Sequence, residues 1–324
     1  MIIGHSKQKT YFLNVLKNNN LSQGYIFIGQ DHLGKFSLAK KLAYNILFLD
    51  NQKDFLNLEN KLSFAELKKM DLCSDYAELT GEEEIKISDI RDIKNKVLCT
   101  SFGASKVFII KKIERINVEA GNALLKILEE PQGDTHFIFT SACPGSIMPT
   151  IFSRLISVYF NPLKKEEIKK HLLSITQNEA RADTLARLSG GQIGVALNFL
   201  KDPKDLENFE SNVEKLKTYL KNPFWKRIVD TSQDNKMAQG MILDWMRFLE
   251  YILRSRFLSQ DILVSASDYW KNLDINKLKN TLEKIHNIWN LFSQTNANKK
   301  ILFEELVLNL PPHLPDNSAG VLRG

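Results

Sequence analysis

Residues 24–37 read GYIFIGQDHLGKFS, and the reading of the fold turns on them. A β-branched and aromatic run, GYIFIG, has the composition of a buried strand and ends at Gly29. After four intervening residues come Gly34 and Lys35. Beyond them FSLAKKLAYNILFL places Leu38, Leu42, Ile46 and Leu47 on one helical face. Strand, glycine loop, helix is the setting in which this spacing reads as a phosphate-binding loop. In such a loop the backbone N–H groups and the helix N-terminus cradle phosphates. The lysine meets the β- and γ-phosphates, and a following Ser or Thr holds Mg²⁺. Gly29, Gly34 and Lys35 keep the first two functions available, as a degenerate site for a nucleotide. The position after the lysine is Phe36, whose ring has no donor atom for a hard cation. Ser37 cannot take its place, because one step along a helix turns the side chain by about 100°.

The second half of a hydrolytic site is an acidic end to an apolar strand. The matching strand, KVFII at 106–110, is followed by Lys111, Lys112, Ile113 and Glu114. Two cations stand where carboxylates would hold Mg²⁺ and orient water. Glu114 falls past the strand end and reads as a surface acid in a turn. With the hydroxyl and both acids gone, the residues describe a site that does not hydrolyse. Two readings of the glycines stay open: a tight strand-to-helix turn kept for the fold, or ATP or ADP held without hydrolysis.

Further strands are expected at THFIFT (135–140) and LISVYF (155–160). A helix, NVEAGNALLKILEE, is opened by Asn117 as its cap and stopped by Pro131. The stretch 50–75 is polar and helix-like, without a signature. Strands alternating with helices predict a parallel sheet covered on both faces, an α/β domain over 1–162. An all-α region follows: a small helical lid over 163–205, then a helical collar-like, oligomerising domain over 206–310, and a flexible tail at 311–324. In the collar segment Met241, Trp245, Phe248 and Ile252 recur at helical spacing, as core or as subunit interface.

The chain has 324 residues, 43% hydrophobic and 25% charged, enough apolar content for more than one core. A net charge of +6 and a pI of about 9.0 permit a nucleic-acid partner without requiring one. Lys106, Lys111, Lys112 and Arg115 form a local basic cluster, open to three readings: DNA contact, a solvated patch, or cations filling the space of Mg²⁺. Cys73, Cys99 and Cys143 show no paired spacing, so no metal and no zinc are expected, and the thiols read as reduced ones. MIIGHSKQKTYFLNVL lacks the apolar core of a signal peptide, and no apolar run reaches spanning length. A cytoplasmic protein with no membrane partner is the expectation.

Several segments together resemble one family. GNALLKILEEP (121–131) and PTIFSRLISVYF (149–160) are similar to two signature segments of bacterial clamp-loader subunits of the AAA+ class. IIGH, GYIFIG and LARLSGGQIGVALNFL (185–200) also resemble that family, the last as its lid helix with the second sensor region. The likeness covers roughly residues 1–200, and the rest matches only in being helical. Within the family, a loop lacking its Mg²⁺ ligand and its acids most resembles the delta-prime type of member.

That resemblance implies an AAA+ P-loop domain with lid and collar. It further implies a hetero-pentameric ring with gamma/tau-like motors and a delta-like subunit, which places a sliding clamp on primed DNA. It implies that Arg154, with Ser153, is an arginine finger acting in trans on a neighbour's nucleotide, where a planar guanidinium matches phosphate oxygens. An ordinary surface salt bridge is the plain alternative for the same residue. Two departures stand out: the cysteine of the family's Ser-Arg-Cys segment is Leu155, and the four-cysteine zinc module found in many members is reduced to Cys73. Thr140 and Ser141 stand where the family's first sensor lies. No cofactor is required on this reading. Competing readings are an ATP-hydrolysing gamma/tau-like motor and a stand-alone P-loop ATPase.

Overall fold

The computed structural model describes residues 2–48, 62–80, 84–100, 103–221, 238–257, 274–294 and 299–310. By contacts the chain divides into two compact units: Met1–His171 with Gly191–Gly194, and Leu172–Gly190 with Val195–Gly324.

The first unit is a five-stranded, wholly parallel sheet. Its strands are β1 (Gly24–Ile28), β2 (Tyr76–Leu79), β3 (Lys106–Ile110), β4 (Thr135–Ser141) and β5 (Ile156–Tyr159), in the order β2-β3-β4-β1-β5. Around them run α1 (Ser6–Lys17), α2 (Lys35–Phe48), α3 (Phe64–Asp71), α4 (Ile87–Leu98), α5 (Val118–Glu129) and the short α6 (Pro149–Phe152). Each central strand is buried along its whole length, which is why these runs lack polar alternation. Alternate residues feed two cores. Tyr25, Phe27, Val107, Ile109 and Ile138 pack on one face with Phe12 and Leu42. Ile26, Phe108, Ile110, Phe137 and Phe139 pack on the other with Leu124 and Ile151.

The expected strands at 24–29, 106–110, 135–140 and 155–160 are all present, the helix-like stretch 50–75 carries α3, and β2, just beyond it, is an addition. Residues 50–61 of that stretch lie outside the described residues. Lys106, placed above in a basic cluster, is 5% exposed. Its ammonium donates to the carbonyls of Lys96 (3.1 Å), Val97 (2.8 Å) and Cys99, closing the C-terminus of α4. It is therefore a buried cap and not a surface cation.

α7 (Lys165–Thr176) begins in the first unit and ends in the second. Gly191–Gly194 return to the first because the Leu163 amide donates to the Gly191 carbonyl (2.9 Å) and the Gly194 amide to that of His32 (2.8 Å). The second unit is helical: α8 (Glu179–Leu188), α9 (Ile193–Lys201), α10 (Pro203–Lys221), α11 (Ala238–Phe257), α12 (Ile275–Gln294) and α13 (Lys299–Leu308). Met241, Trp245, Phe248 and Ile252 are all 0% exposed, so the stripe on α11 is core. The Trp245 indole N–H donates to the Asn212 carbonyl at 2.6 Å, satisfying its one polar atom. The tail at 311–324 lies outside the described residues.

One glycine fixes the exit of β1. Gly29 has φ +153°, and a Cβ there would lie 2.3 Å from the Phe160 carbonyl oxygen. Gly29→Ala is expected to cost about 2 kcal/mol, or about 3 °C in melting temperature for a chain of this size. An unchanged thermal midpoint would show that the backbone there yields freely.

Candidate functional site

β1, β3 and β4 run parallel, so their carboxyl ends share one edge of the sheet, the usual place for a ligand in such folds. The candidate loop, Gly29–Gly34, leaves β1 there and runs into the N-terminus of α2. Two of its residues have left-handed backbones, His32 (φ +64°) and Gly34 (φ +93°).

Lys35 is 6% exposed. Its Nζ donates to the Gly29 carbonyl and to that of Gln30 (2.7 Å), so the ammonium is turned into its own loop. Burial pushes its pKa down from 10.5 to about 8, while the carboxylates of Asp31 and Glu114 oppose that shift and Lys112 adds to it. The carbonyls of Leu33 and His32 are engaged too. That of Leu33 faces His5 Nε2 at 2.9 Å. A carbonyl only accepts, so this nitrogen carries the hydrogen, in keeping with burial lowering the pKa of His5. The His32 carbonyl holds Gly194, and the Gln192 side-chain amide reaches that of Gln30 at 3.2 Å. The GGQIG segment thus closes on the loop.

Phe36 packs partly buried beside the first core. The ammoniums of Lys40 and Lys111 lie 4.9 and 5.5 Å from its ring centroid. Lys112 pairs with Asp31 of the loop at 3.6 Å. The sequence therefore brings Gly29, Gly34, Lys35, Phe36, Lys111 and Lys112 to one place. An aromatic ring and two lysines do not fit Mg²⁺, which demands oxygen ligands in an octahedron.

Glu114 is not the surface acid expected of it. Its Oε1 accepts the Ala142 amide at 3.1 Å, and its Oε2 is buried without a hydrogen-bond partner. It stands in the field of Lys35, on a 3-10 turn, Ile113–Arg115, that no pattern in the sequence announced. His5 and Gln192 were likewise legible only as parts of family-like segments. Thr140 and Ser141 are buried, and Thr140 Oγ1 accepts the Lys112 amide at 3.2 Å, a structural use of the sensor position. The three cysteines are free thiols, and among the described residues no cluster of His, Cys, Asp and Glu is arranged to hold a metal.

Ser153 and Arg154 are elsewhere. The Ser153 hydroxyl (3.1 Å) and Arg154 Nη1 (2.8 Å) both donate to the Thr150 carbonyl, and Arg154 Nη2 donates to Glu129 Oε1. The guanidinium remains 38% exposed. Arg154 precedes β5, whose Ile156 pairs with Tyr25 at the start of β1. The loop leaves the other end of β1. Because the strands are parallel, loop and arginine lie at opposite edges of the sheet, about 15 Å of strand apart. Leu155 is 8% exposed, a buried apolar group where the family has cysteine, and it fits because Gly24 opposite has no side chain.

This topology, with a loop of phosphate-binding form at the carboxyl edge, defines an AAA+ P-loop-type domain followed by helices. The family model described as "DNA polymerase III, delta subunit" matches residues 4–164. DNA polymerase III subunit gamma of Buchnera aphidicola subsp. Acyrthosiphon pisum is 24% identical over 319 residues, 88% of this chain and 83% of its own length. Subunit tau of Escherichia coli is 27% identical over 212 residues, 61% of this chain but 31% of its own. Subunit delta' of Pseudomonas aeruginosa is 32% identical over 139 residues, 42% of each chain. The chain belongs to the AAA+ clamp-loader subunits of DNA polymerase III, the gamma, tau and delta-prime family. Among the described residues no helix is long and apolar enough to cross a membrane.

The lowered pKa of Lys35 has a pH signature. Below pH 8 the folded and unfolded states both hold the proton, and the cost of burying the charge is fully present. Between about pH 8 and 10.4 the folded state loses the proton first, the unfolded state binds more, and stability rises with pH. Lys35→Met lacks this response. Urea denaturation at pH 7.5 and pH 10 is expected to find wild type gaining on the variant by about 2 kcal/mol. A constant difference would refute the desolvated ammonium.

Proposed function

We propose that this chain is the delta-prime-type subunit of the clamp loader: it does not hydrolyse ATP, and it lends Arg154 to the nucleotide of a neighbour. The observation that carries this reading is Phe36 with Lys111 and Lys112 in place of the groups that hold Mg²⁺, around a Lys35 already bound by its own loop. A nucleotide at this loop, if held, is held idly, through backbone N–H groups and without a metal.

The topology supports the second half. Arg154 lies at the opposite sheet edge from its own loop, so a phosphate it meets belongs to another subunit. A guanidinium acting in trans stabilises charge spreading over the transferred phosphoryl group. On this reading the partners are gamma/tau-like motors and a delta-like subunit in a hetero-pentameric ring. The ring works on a sliding clamp and primed DNA in the cytoplasm, and this chain serves as a rigid, non-cycling member.

One observation favours a second reading, a gamma/tau-like motor: the likeness to a gamma subunit spans 88% of this chain, that to a delta' subunit 42%. ATPase assays separate the two. The isolated chain is expected to turn over no ATP above background; turnover at the rate of an ordinary ATPase would favour the motor. In a reconstituted loader Arg154→Ala is expected to lower ATP hydrolysis by at least about 10-fold while assembly, read by gel filtration, persists. Hydrolysis at the wild-type rate would remove the arginine from the mechanism.

A further inference from the structure

Arg154 is a long side chain at a half-exposed position, yet both ends of its fork are tied. Nη1 is on the Thr150 carbonyl, which also receives the Ser153 hydroxyl. Nη2 is on Glu129, the last residue of α5, which is 48% exposed at its side chain. Asn117 caps the start of α5 by accepting the Ala120 amide, and its inner face, with Leu124, Ile127 and Leu128, is buried. Glu129 is therefore a carboxylate on a fixed helix end. Thr150 lies in α6, begun by Pro149. The arginine is spanned between two rigid elements, 25 residues apart in the chain on one side and four on the other.

An exposed ion pair of this kind adds little to folding, because water screens it and two side chains must be ordered to make it. Its consequence is orientational. A free arginine samples many rotamers, and a finger that has to meet a transferring phosphoryl group works best when that freedom has already been lost. Two of five N–H donors are committed to Thr150 and Glu129, which leaves others for phosphate oxygens.

We propose that Glu129 is the positioning residue of the arginine finger, holding the Arg154 guanidinium for a phosphate of the neighbouring subunit. This rests on the trans role of Arg154 given above. A carboxylate as a restraining latch is the opposite reading, and an exposed pair is too weak to withhold a guanidinium from a polyphosphate.

The test uses a reconstituted loader carrying Glu129→Ala, Glu129→Gln, Arg154→Ala or the double variant Glu129→Ala/Arg154→Ala. Steady-state ATPase rates are read with melting temperature and assembly as controls. Glu129→Ala is expected to lower kcat on the order of three- to tenfold, with KM for ATP little changed and the melting temperature unmoved. Glu129→Gln, which keeps an acceptor oxygen at the same reach, is expected to recover most of the loss. The double variant is expected to match Arg154→Ala alone. Full activity of Glu129→Ala beside a defective Arg154→Ala would overturn the positioning role and leave the finger standing. A rise in activity on Glu129→Ala, or a further loss in the double variant, would also overturn it. A silent Arg154→Ala would bring down the finger itself.

Discussion

The ammonium of Lys35 sits where water reaches little of it, and its surroundings are organised to hold it there. A buried cation is tolerable only with carbonyl dipoles or opposite charge close by. Here the carbonyls come from Gly29 and Gln30, six and five residues before the lysine itself. That geometry requires the loop to double back, which it does through the left-handed backbones of His32 and Gly34. It also requires the loop to be pinned, which His5, Gly194 and Gln192 do from three separate stretches of chain. Asp31 and Glu114 supply the longer-range negative field.

The same arrangement explains how the two lysines beyond β3 are accommodated. Lys112 takes a left-handed backbone, φ +57°, and its side chain turns to Asp31. Lys111 lies over the ring of Phe36. A hydroxyl at position 36 would leave these charges without an aromatic face, and an acid at 111 or 112 would sit beside Phe36 with nothing to coordinate. The three substitutions relative to a hydrolytic site are thus mutually consistent. They form one consistent set, joined by a cation–π contact and an ion pair to the loop.

Much of this was legible in the sequence, for reasons that differ by element. β1, β3 and β4 are buried on both faces, so they appear as unbroken apolar runs. β2 was not recognised: YAEL is four residues long, only Tyr76 is fully buried, and Glu78 pairs with Lys40, so an edge strand looks like any polar stretch. The helical spacing of Met241, Trp245, Phe248 and Ile252 marked a buried face without saying whether its own chain or another covered it. Lys106 misled because a charge in a sequence does not reveal where a four-carbon stem ends. Glu114 misled for the converse reason. Its position past a strand implied a surface, while the 3-10 turn folds it inward. The loop was readable because its spacing is local, but the partner of Arg154 lies 25 residues away and only the fold unites them.

The loop and Arg154 lie at opposite ends of the parallel strands, so each is built from different elements. The loop depends on the carboxyl ends of β1, β3 and β4. Arg154 depends on α6, the end of α5 and the amino end of β5. The two are joined by the paired backbones of β1 and β5 and by the core that packs Leu124 and Ile151 on β1, β3 and β4. Phe36 packs against the other of the two cores from α5 and α6, so the side chain at position 36 does not touch the elements that hold the guanidinium. On the function proposed above, Arg154 needs a rigid support more than it needs a nucleotide site in its own chain. The internally bonded loop at one edge and the tethered guanidinium at the other are therefore two separately built features of one sheet.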